Sequence, residues 1–128
     1  AMYLAAAGVG HLILADFDKV DASNLQRQII HRESTIGISK VESARQTLYA
    51  INSDIKVSTL DEKLTPQTLE DVLKTINCVV DGTDNFSARF AINAACVQSQ
   101  TPLVSGVINA CTRIQRKNWN KLAVRMGS

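Results

Sequence analysis

The chain has 128 residues, enough for one domain, and its hydrophobic content of 45% and charged content of 20% are those of an ordinary globular protein. These values argue against wholesale disorder, and no stretch is long and apolar enough to suggest a membrane span. The net charge is only +2, but all twelve acidic residues precede residue 85, so the C-terminal third is basic. Its cations are not interleaved with aromatic residues apart from Trp119, which argues against nucleic-acid binding.

The cysteines give no sign of a metal or redox centre. Cys78, Cys96 and Cys111 are far apart and form no C-x-x-C pair, so the sequence predicts no zinc site. Reduced thiols of this kind are typical of the cytosol, and the N-terminus lacks the cationic start of a signal peptide. We therefore expect a cytoplasmic protein.

The chain opens with a helical stretch, Ala1–Ala7, that stops at two glycines. Gly8 and Gly10 do not form a dinucleotide loop, because isoleucine replaces the third glycine of G-x-G-x-x-G and the helix precedes the strand. A short apolar strand, His11–Ala15, then ends at Asp16. An acid at a strand end is typical of ribose binding, and a plain loop acid or helix cap is an equally good interpretation.

A polar run follows this strand and leads to a second helix. Ser23 or Asn24 can cap a short helix over 25–30, and an S-K-V-E capping box starts the helix Lys40–Ile51. Lys40 therefore lies in a first helical turn, where a cation gains nothing from the helix dipole. This mismatch favours a role with an anion, and the alternative is a solvated lysine.

The second half of the chain alternates strands and helices. The predicted elements are an edge strand at 55–60, a helix starting at Pro66, a strand at 77–81, a helix at 86–99 and a strand at 102–105. Asp84 lies between a strand end and a helix start, where a carboxylate can hold Mg²⁺ together with phosphate oxygens. The simpler interpretation is that Asp84 or Asn85 caps the helix. The order of elements predicts an α/β fold with a mostly parallel sheet and flanking helices.

Several motifs occur in order along the chain. They are A-G-V-G-x-L-x-L-A-D-F-D at 7–18, S-N-L-Q-R-Q at 23–28, G-x-x-K-V-E-S-A at 37–44, D-G-T-D-N-x-x-x-R-x-x-x-N at 81–93 and T-P-L-V-S-G at 101–106. Together they resemble the ubiquitin-activating superfamily in its small bacterial form, the ThiF/MoeB/HesA adenylyltransferases of thiamine and molybdopterin biosynthesis. The resemblance covers residues 1–106, a partial nucleotide-binding domain. Residues 107–128 form a basic tail that is either a divergent strand or non-native sequence.

The resemblance implies a role for each matching residue. Asp16 would bind the ribose of ATP, and Asn24, Arg27 and Lys40 would contact the triphosphate. Asp84 would bind Mg²⁺, so that Arg27, Lys40 and Asp84 form the catalytic set. The implied reaction joins AMP to the terminal glycine of a ubiquitin-like sulfur-carrier protein and releases pyrophosphate.

The sequence also departs from the family pattern. The family's first strand, its glycine-rich loop and its paired C-x-x-C zinc motifs have no match here, so we expect a Rossmann-like sheet without its first strand. The neighbouring strands would then expose apolar edges, which predicts self-association, a companion segment or closure of the sheet around the gap. We expect this chain alone to be inactive. A non-catalytic scaffold remains the alternative, and an NAD-dependent oxidoreductase explains Asp16 but not the cations.

Overall fold

The computed structural model describes residues 1–107, 110–111 and 121–125. Helices and strands alternate along these residues, as the sequence predicts. The α-helices are α1 (Met2–Ala6), α2 (Lys40–Ile51), α3 (Pro66–Leu73) and α4 (Phe86–Gln98). The strands are β1 (His11–Ala15), β2 (Lys56–Leu60), β3 (Cys78–Asp81), β4 (Leu103–Val107), β5 (Ala110–Cys111) and β6 (Lys121–Arg125). None of the described helices has the length and apolarity that a membrane crossing requires.

The strands form one sheet in the order β2-β1-β6-β3-β4-β5. All neighbours pair in parallel except β5, which runs antiparallel to β4. Successive residues of β1 point to opposite faces, and both faces are covered: Leu12 and Leu14 pack under α1 and α2, whereas Ile13 packs under α3 and α4. A parallel sheet between two helical layers confirms the predicted α/β class.

Gly8 follows the last residues of α1 and ends the helix. The Gly8 amide donates to the Ala5 carbonyl and the Val9 amide to the Leu4 carbonyl, which is the hydrogen-bond pattern of a Schellman motif. Gly8 has φ +78°, a conformation that favours glycine at this position. This motif turns the chain sharply into β1.

The prediction of a short helix over residues 25–30 is wrong. The structure has a single 3₁₀ turn, Ala22–Asn24, followed by irregular turns. Asp21 caps this turn by accepting from the Ser23 amide, and the Asn24 side chain accepts from the Asp21 amide in return. The Asn24 side chain, one of the two considered as the cap of that helix, is therefore used one turn earlier, in a local structure that competes with helix propagation.

The centre of the sheet differs from the expected gap. Strand β6 lies between β1 and β3 and pairs with both, so that Arg125 is the register partner of Ala15 on one side and of Asp81 on the other. In a doubly wound sheet of order 3-2-1-4-5 this position belongs to the first strand. The apolar centre of the segment, Leu122–Val124, suits a strand that is paired on both sides. The described residues thus show no open slot.

Candidate functional site

The candidate site lies at the carboxyl ends of β1 and β3, flanking the end of β6. This is the edge of a doubly wound sheet where ligands bind. Asp16 follows β1 directly and is buried, and one of its carboxylate oxygens accepts from the Asp18 amide at 3.0 Å. Asp81 ends β3, is only 1% exposed, and accepts from the Thr83 amide at 3.0 Å. The two acids lie at the ends of β1 and β3, and these strands are two positions apart in the sheet, which corresponds to about 10 Å between the strands.

Lys40 is one of the most buried side chains of the described protein, with 2% of it exposed. Its Nζ lies 3.2 Å from Oδ2 of Asp18, a residue whose side chain is 30% exposed. The alternative interpretation, that Lys40 is a solvated lysine, is therefore wrong. A buried ammonium needs an anionic partner, because its desolvation is otherwise uncompensated. Sequence reasoning missed Asp18 as that partner, although the D-x-D spacing after β1 gave a signal for it.

Backbone pairing holds the two members of this ion pair together. The Lys40 amide donates to the Asp18 carbonyl, and the Val20 amide donates to the Ile38 carbonyl, both at 2.9 Å. Gly37 supports the turn with φ +87°, and its amide donates to the Val20 carbonyl. The segment after β1 and the start of α2 are thus joined as a short antiparallel bridge. Since Ser39 caps α2, the position of Lys40 is fixed by the helix start.

Asn24 and Arg27 lie on the loop between β1 and α2. Asn24 is buried, and its Oδ1 is used in the cap with the Asp21 amide. Arg27 is exposed, and its Nη1 donates to the Ser23 carbonyl at 2.9 Å. The loop therefore presents a guanidinium to solvent, where it is available to an anionic ligand.

Asp84 and Asn85 have different roles. Asn85 is the N-cap of α4, and its Oδ1 accepts from the Ala88 amide at 3.2 Å. Asp84 precedes the cap and is exposed, so the interpretation that Asp84 or Asn85 caps the helix is confirmed for Asn85 and wrong for Asp84. Thr83 is buried beside it, and its hydroxyl has no hydrogen-bond partner among the described residues. The loop after β3 thus places a carboxylate in solvent at the positive end of a helix dipole.

A further cation was missed by sequence reasoning. Arg89, on the second turn of α4, donates from Nη2 to the Ser105 hydroxyl at 2.6 Å. Ser105 is the register partner of Asp81, so the guanidinium lies near the same edge of the sheet. Its signal in the sequence was the spacing of the arginine five residues after Asp84, within the quoted D-N-x-x-x-R motif.

The thiols of the sheet and helix are structural. Cys78 and Cys96 are buried and free. Burial raises the pKa of Cys78 to about 12 and that of Cys96 to about 11, so both stay protonated and are poor nucleophiles. The side chain of Cys111 lies outside the described residues.

A cavity of about 680 Å³ lies at the opposite end of the sheet, between α3 and α4. It is lined by residues that precede β3 and β4, such as Asn77 and Thr101, together with Glu70 and Lys74. Because ligands of doubly wound sheets bind at the carboxyl ends of the strands, we do not assign the nucleotide to this cavity.

A model of the ThiF family matches residues 1–116. The chain belongs to the ThiF family. Among its curated relatives, the adenylyltransferase and sulfurtransferase MOCS3 of Culex quinquefasciatus is 48% identical over 106 residues, which are 83% of this chain and 24% of that protein. The molybdopterin-synthase adenylyltransferase of Escherichia coli is 45% identical over 106 residues, which are 83% of this chain and 43% of that protein. The chain thus spans less than half the length of these relatives.

Solved ThiF-like structures share the fold. The Escherichia coli tRNA N6-threonylcarbamoyladenosine dehydratase, crystallised with AMP, superposes with a TM-score of 0.75 at 29% identity, over 80% of this chain and 43% of that chain. The same enzyme has been crystallised with ATP, again with a TM-score of 0.75. The family and the Rossmann-like α/β fold implied by the motifs are therefore confirmed, and two of these relatives are named adenylyltransferases.

Proposed function

We propose that this chain is the nucleotide-binding part of an ATP-dependent adenylyltransferase that activates the terminal glycine of a ubiquitin-like sulfur-carrier protein. The observation that carries the proposal is the buried Lys40, held by Asp18 at the edge of the sheet where ligands bind. Lys40 is the first residue of α2, and the exposed Arg27 lies on the loop that leads to this helix. Two cations on these elements suit a polyanion such as a triphosphate. The names of the relatives favour molybdopterin biosynthesis over thiamine biosynthesis.

In the proposed reaction, a carboxylate oxygen of the carrier attacks the α-phosphorus of ATP. The bond from that phosphorus to the bridging oxygen breaks, and pyrophosphate leaves. Arg27 and Lys40 offset the charge that develops on pyrophosphate, which is the main help a protein gives to such a step. The Asp16 carboxylate accepts from the ribose hydroxyls. Asn24 keeps its amide NH₂ as a donor to the triphosphate, because its cap uses only Oδ1.

We assign Mg²⁺ to Asp84. The described residues contain no group of three or more His, Cys, Asp or Glu side chains that could enclose a metal. Mg²⁺ fits a site of another kind, since it keeps several waters and takes one or two carboxylates together with substrate phosphates. An exposed carboxylate beside the site is suited to this binding. When bound, the ion would supply positive charge to the phosphate oxygens.

Calorimetry with Mg-ATP tests the proposal on this chain. We expect micromolar binding that weakens by about ten- to hundredfold in Arg27→Ala, because a hydrogen bond to a charged group is lost. Arg45→Ala is the matched control: Arg45 lies on α2 and pairs with Glu42 at 2.9 Å on the surface. In a full-length protein carrying this segment, Arg27→Ala and Asp84→Ala should also slow ATP–pyrophosphate exchange by about a hundredfold or more, to a rate that can still be measured. Wild-type exchange in both variants would refute the site assignment.

The alternative is a scaffold that keeps the fold and binds no ATP. It is favoured by the hydrogen bond of Arg27 to its own loop at Ser23, which occupies part of the guanidinium. Absence of Mg-ATP binding by the wild-type chain would support it. Self-association also remains a proposal, which light scattering tests. Its support is the exposure of Phe86, Phe90 and Val97 on one face of α4.

A further inference from the structure

Four polar side chains join the loop before α2 to the helix itself. We call them the polar clamp: His31, Thr35, Ser43 and Thr47. All four are buried, with exposed fractions of 7% or less. Ser43 and Thr47 lie one turn apart on α2, and Ser43 lies one turn after Lys40, so the three share one side of the helix.

The hydrogen bonds of the clamp form a directed chain. The Thr35 hydroxyl donates to the Arg32 carbonyl at 2.7 Å, and the Ser43 hydroxyl donates to Thr35 Oγ1 at 2.8 Å. Each hydroxyl has a single proton, so Ser43 Oγ can only accept from His31 Nδ1, which lies 2.9 Å away. The clamp thus fixes the imidazole with its proton on Nδ1.

A second bond ties the same loop to α2 one turn further along. The Thr47 hydroxyl donates to the Ile30 carbonyl at 2.7 Å. At its other end the loop is closed by the cap between Asp21 and Asn24. Arg27 lies between these two anchors. Without them, the backbone around Arg27 would be restrained only by the hydrogen bonds of short-range turns.

We propose that the polar clamp positions Arg27 relative to Lys40. It ties the end of the Arg27 loop to the helix that carries Lys40, one turn from the lysine. Two cations that act on one triphosphate need a fixed separation, and exposed arginine on an irregular loop cannot maintain it alone. The inference rests on the proposed function for its catalytic consequence, but the restraint on the loop does not depend on that function.

Deuterium exchange of the chain tests the restraint directly. Ser43→Ala removes the central hydroxyl and leaves the buried His31 donor unpaired. We expect exchange of the amides from residue 25 to residue 31 to become about tenfold faster, while the amides of β1 are unchanged. Thr75→Ala is the matched control, because it deletes an exposed hydroxyl that donates to the Val72 carbonyl far from this loop. Unchanged exchange in Ser43→Ala would overturn the inference.

A double-mutant cycle tests the positioning in the full-length protein carrying this segment. We expect Ser43→Ala to lower the kcat of ATP–pyrophosphate exchange about tenfold, and to lower it no further when Arg27 is already alanine. His31→Asn, which keeps an N–H donor near Nδ1, should retain more activity than His31→Leu. Additive losses would refute positioning through Arg27. A normal rate for Arg27→Ala alone would instead refute the proposed function, while the deuterium result still decides whether the clamp restrains the loop.

Discussion

Removal of the Asp18 carboxylate is the sharpest stability test that the structure offers. Asp18→Ala leaves the Lys40 ammonium, 2% exposed, without its ion-pair partner at 3.2 Å. Loss of one member of a fully buried pair costs about 3–5 kcal/mol, and an exposed pair contributes about 0–1 kcal/mol. Since the Asp18 side chain is 30% exposed, we expect an intermediate loss in the free energy of unfolding, about 2 kcal/mol.

Urea unfolding followed by circular dichroism measures this loss. With a slope of about 1–3 kcal/mol per molar for a small domain, the midpoint should fall by roughly 1 M. Asp71→Ala is the matched control, since it breaks a 3.0 Å pair with Lys74 in which both side chains are more than half exposed. It should cost less than about 1 kcal/mol.

A second substitution should restore part of the lost stability. Adding Lys40→Met to Asp18→Ala removes the unpaired buried charge and keeps an unbranched side chain of similar length. The double variant should therefore be more stable than Asp18→Ala alone, because the cost comes from the desolvated ammonium. Equal effects of Asp18→Ala and Asp71→Ala, or a double variant that is no more stable, would show that Lys40 is not held as the structure indicates.

Two further predictions concern the cap of α4 and the buried histidine. Asn85→Ala should lower the unfolding free energy by about 1 kcal/mol, because the N-cap of α4 is lost. Asn85→Asp should retain most of the stability that the cap provides, because aspartate is also a good N-cap. Equal losses of stability in the two variants would contradict this role of Asn85. Burial, with a smaller contribution from Lys40, lowers the pKa of His31 below 6.5. The unfolded chain then binds the proton more tightly, so this contribution to stability is complete above pH 6.5 and is lost as pH falls through the lower folded pKa. The pH dependence in this window should weaken in His31→Asn, and an unchanged acid limb would exclude His31 as its source.

Local patterns were enough to predict most of the fold. The start and end of α2 were predicted to the residue, because its capping box and apolar spacing act within the segment itself. The ends of β1 and β3 were also predicted from local sequence, because each strand is a short apolar run that stops at an acid, Asp16 or Asp81. The helix expected over 25–30 failed because Asp21 and Asn24 form a reciprocal cap with each other, and no propensity argument ranks that cap against a helix start.

The pairwise contacts of the site could not be predicted in the same way. Lys40 was expected in a first helical turn, but its burial depends on a bridge between backbone segments some twenty residues apart. The distinction between Asp84 and Asn85 as the cap required the geometry of the loop after β3. The place of β6 in the sheet depends on pairings across most of the chain, and a basic tail carries no pattern that specifies them.

The central position of β6 has a consequence for how the protein folds. His11 pairs with Lys56 in β2 and with Lys121 in β6, so the two neighbours of β1 come from very different distances along the chain. Without β6, the β1–β2 pair and the β3–β4 pair are separate half-sheets with no hydrogen-bonded strand between them. Pairings of such long sequence separation close late and slow the folding rate. The sheet therefore becomes one cooperative unit only when the segment up to Arg125 has been made and inserted.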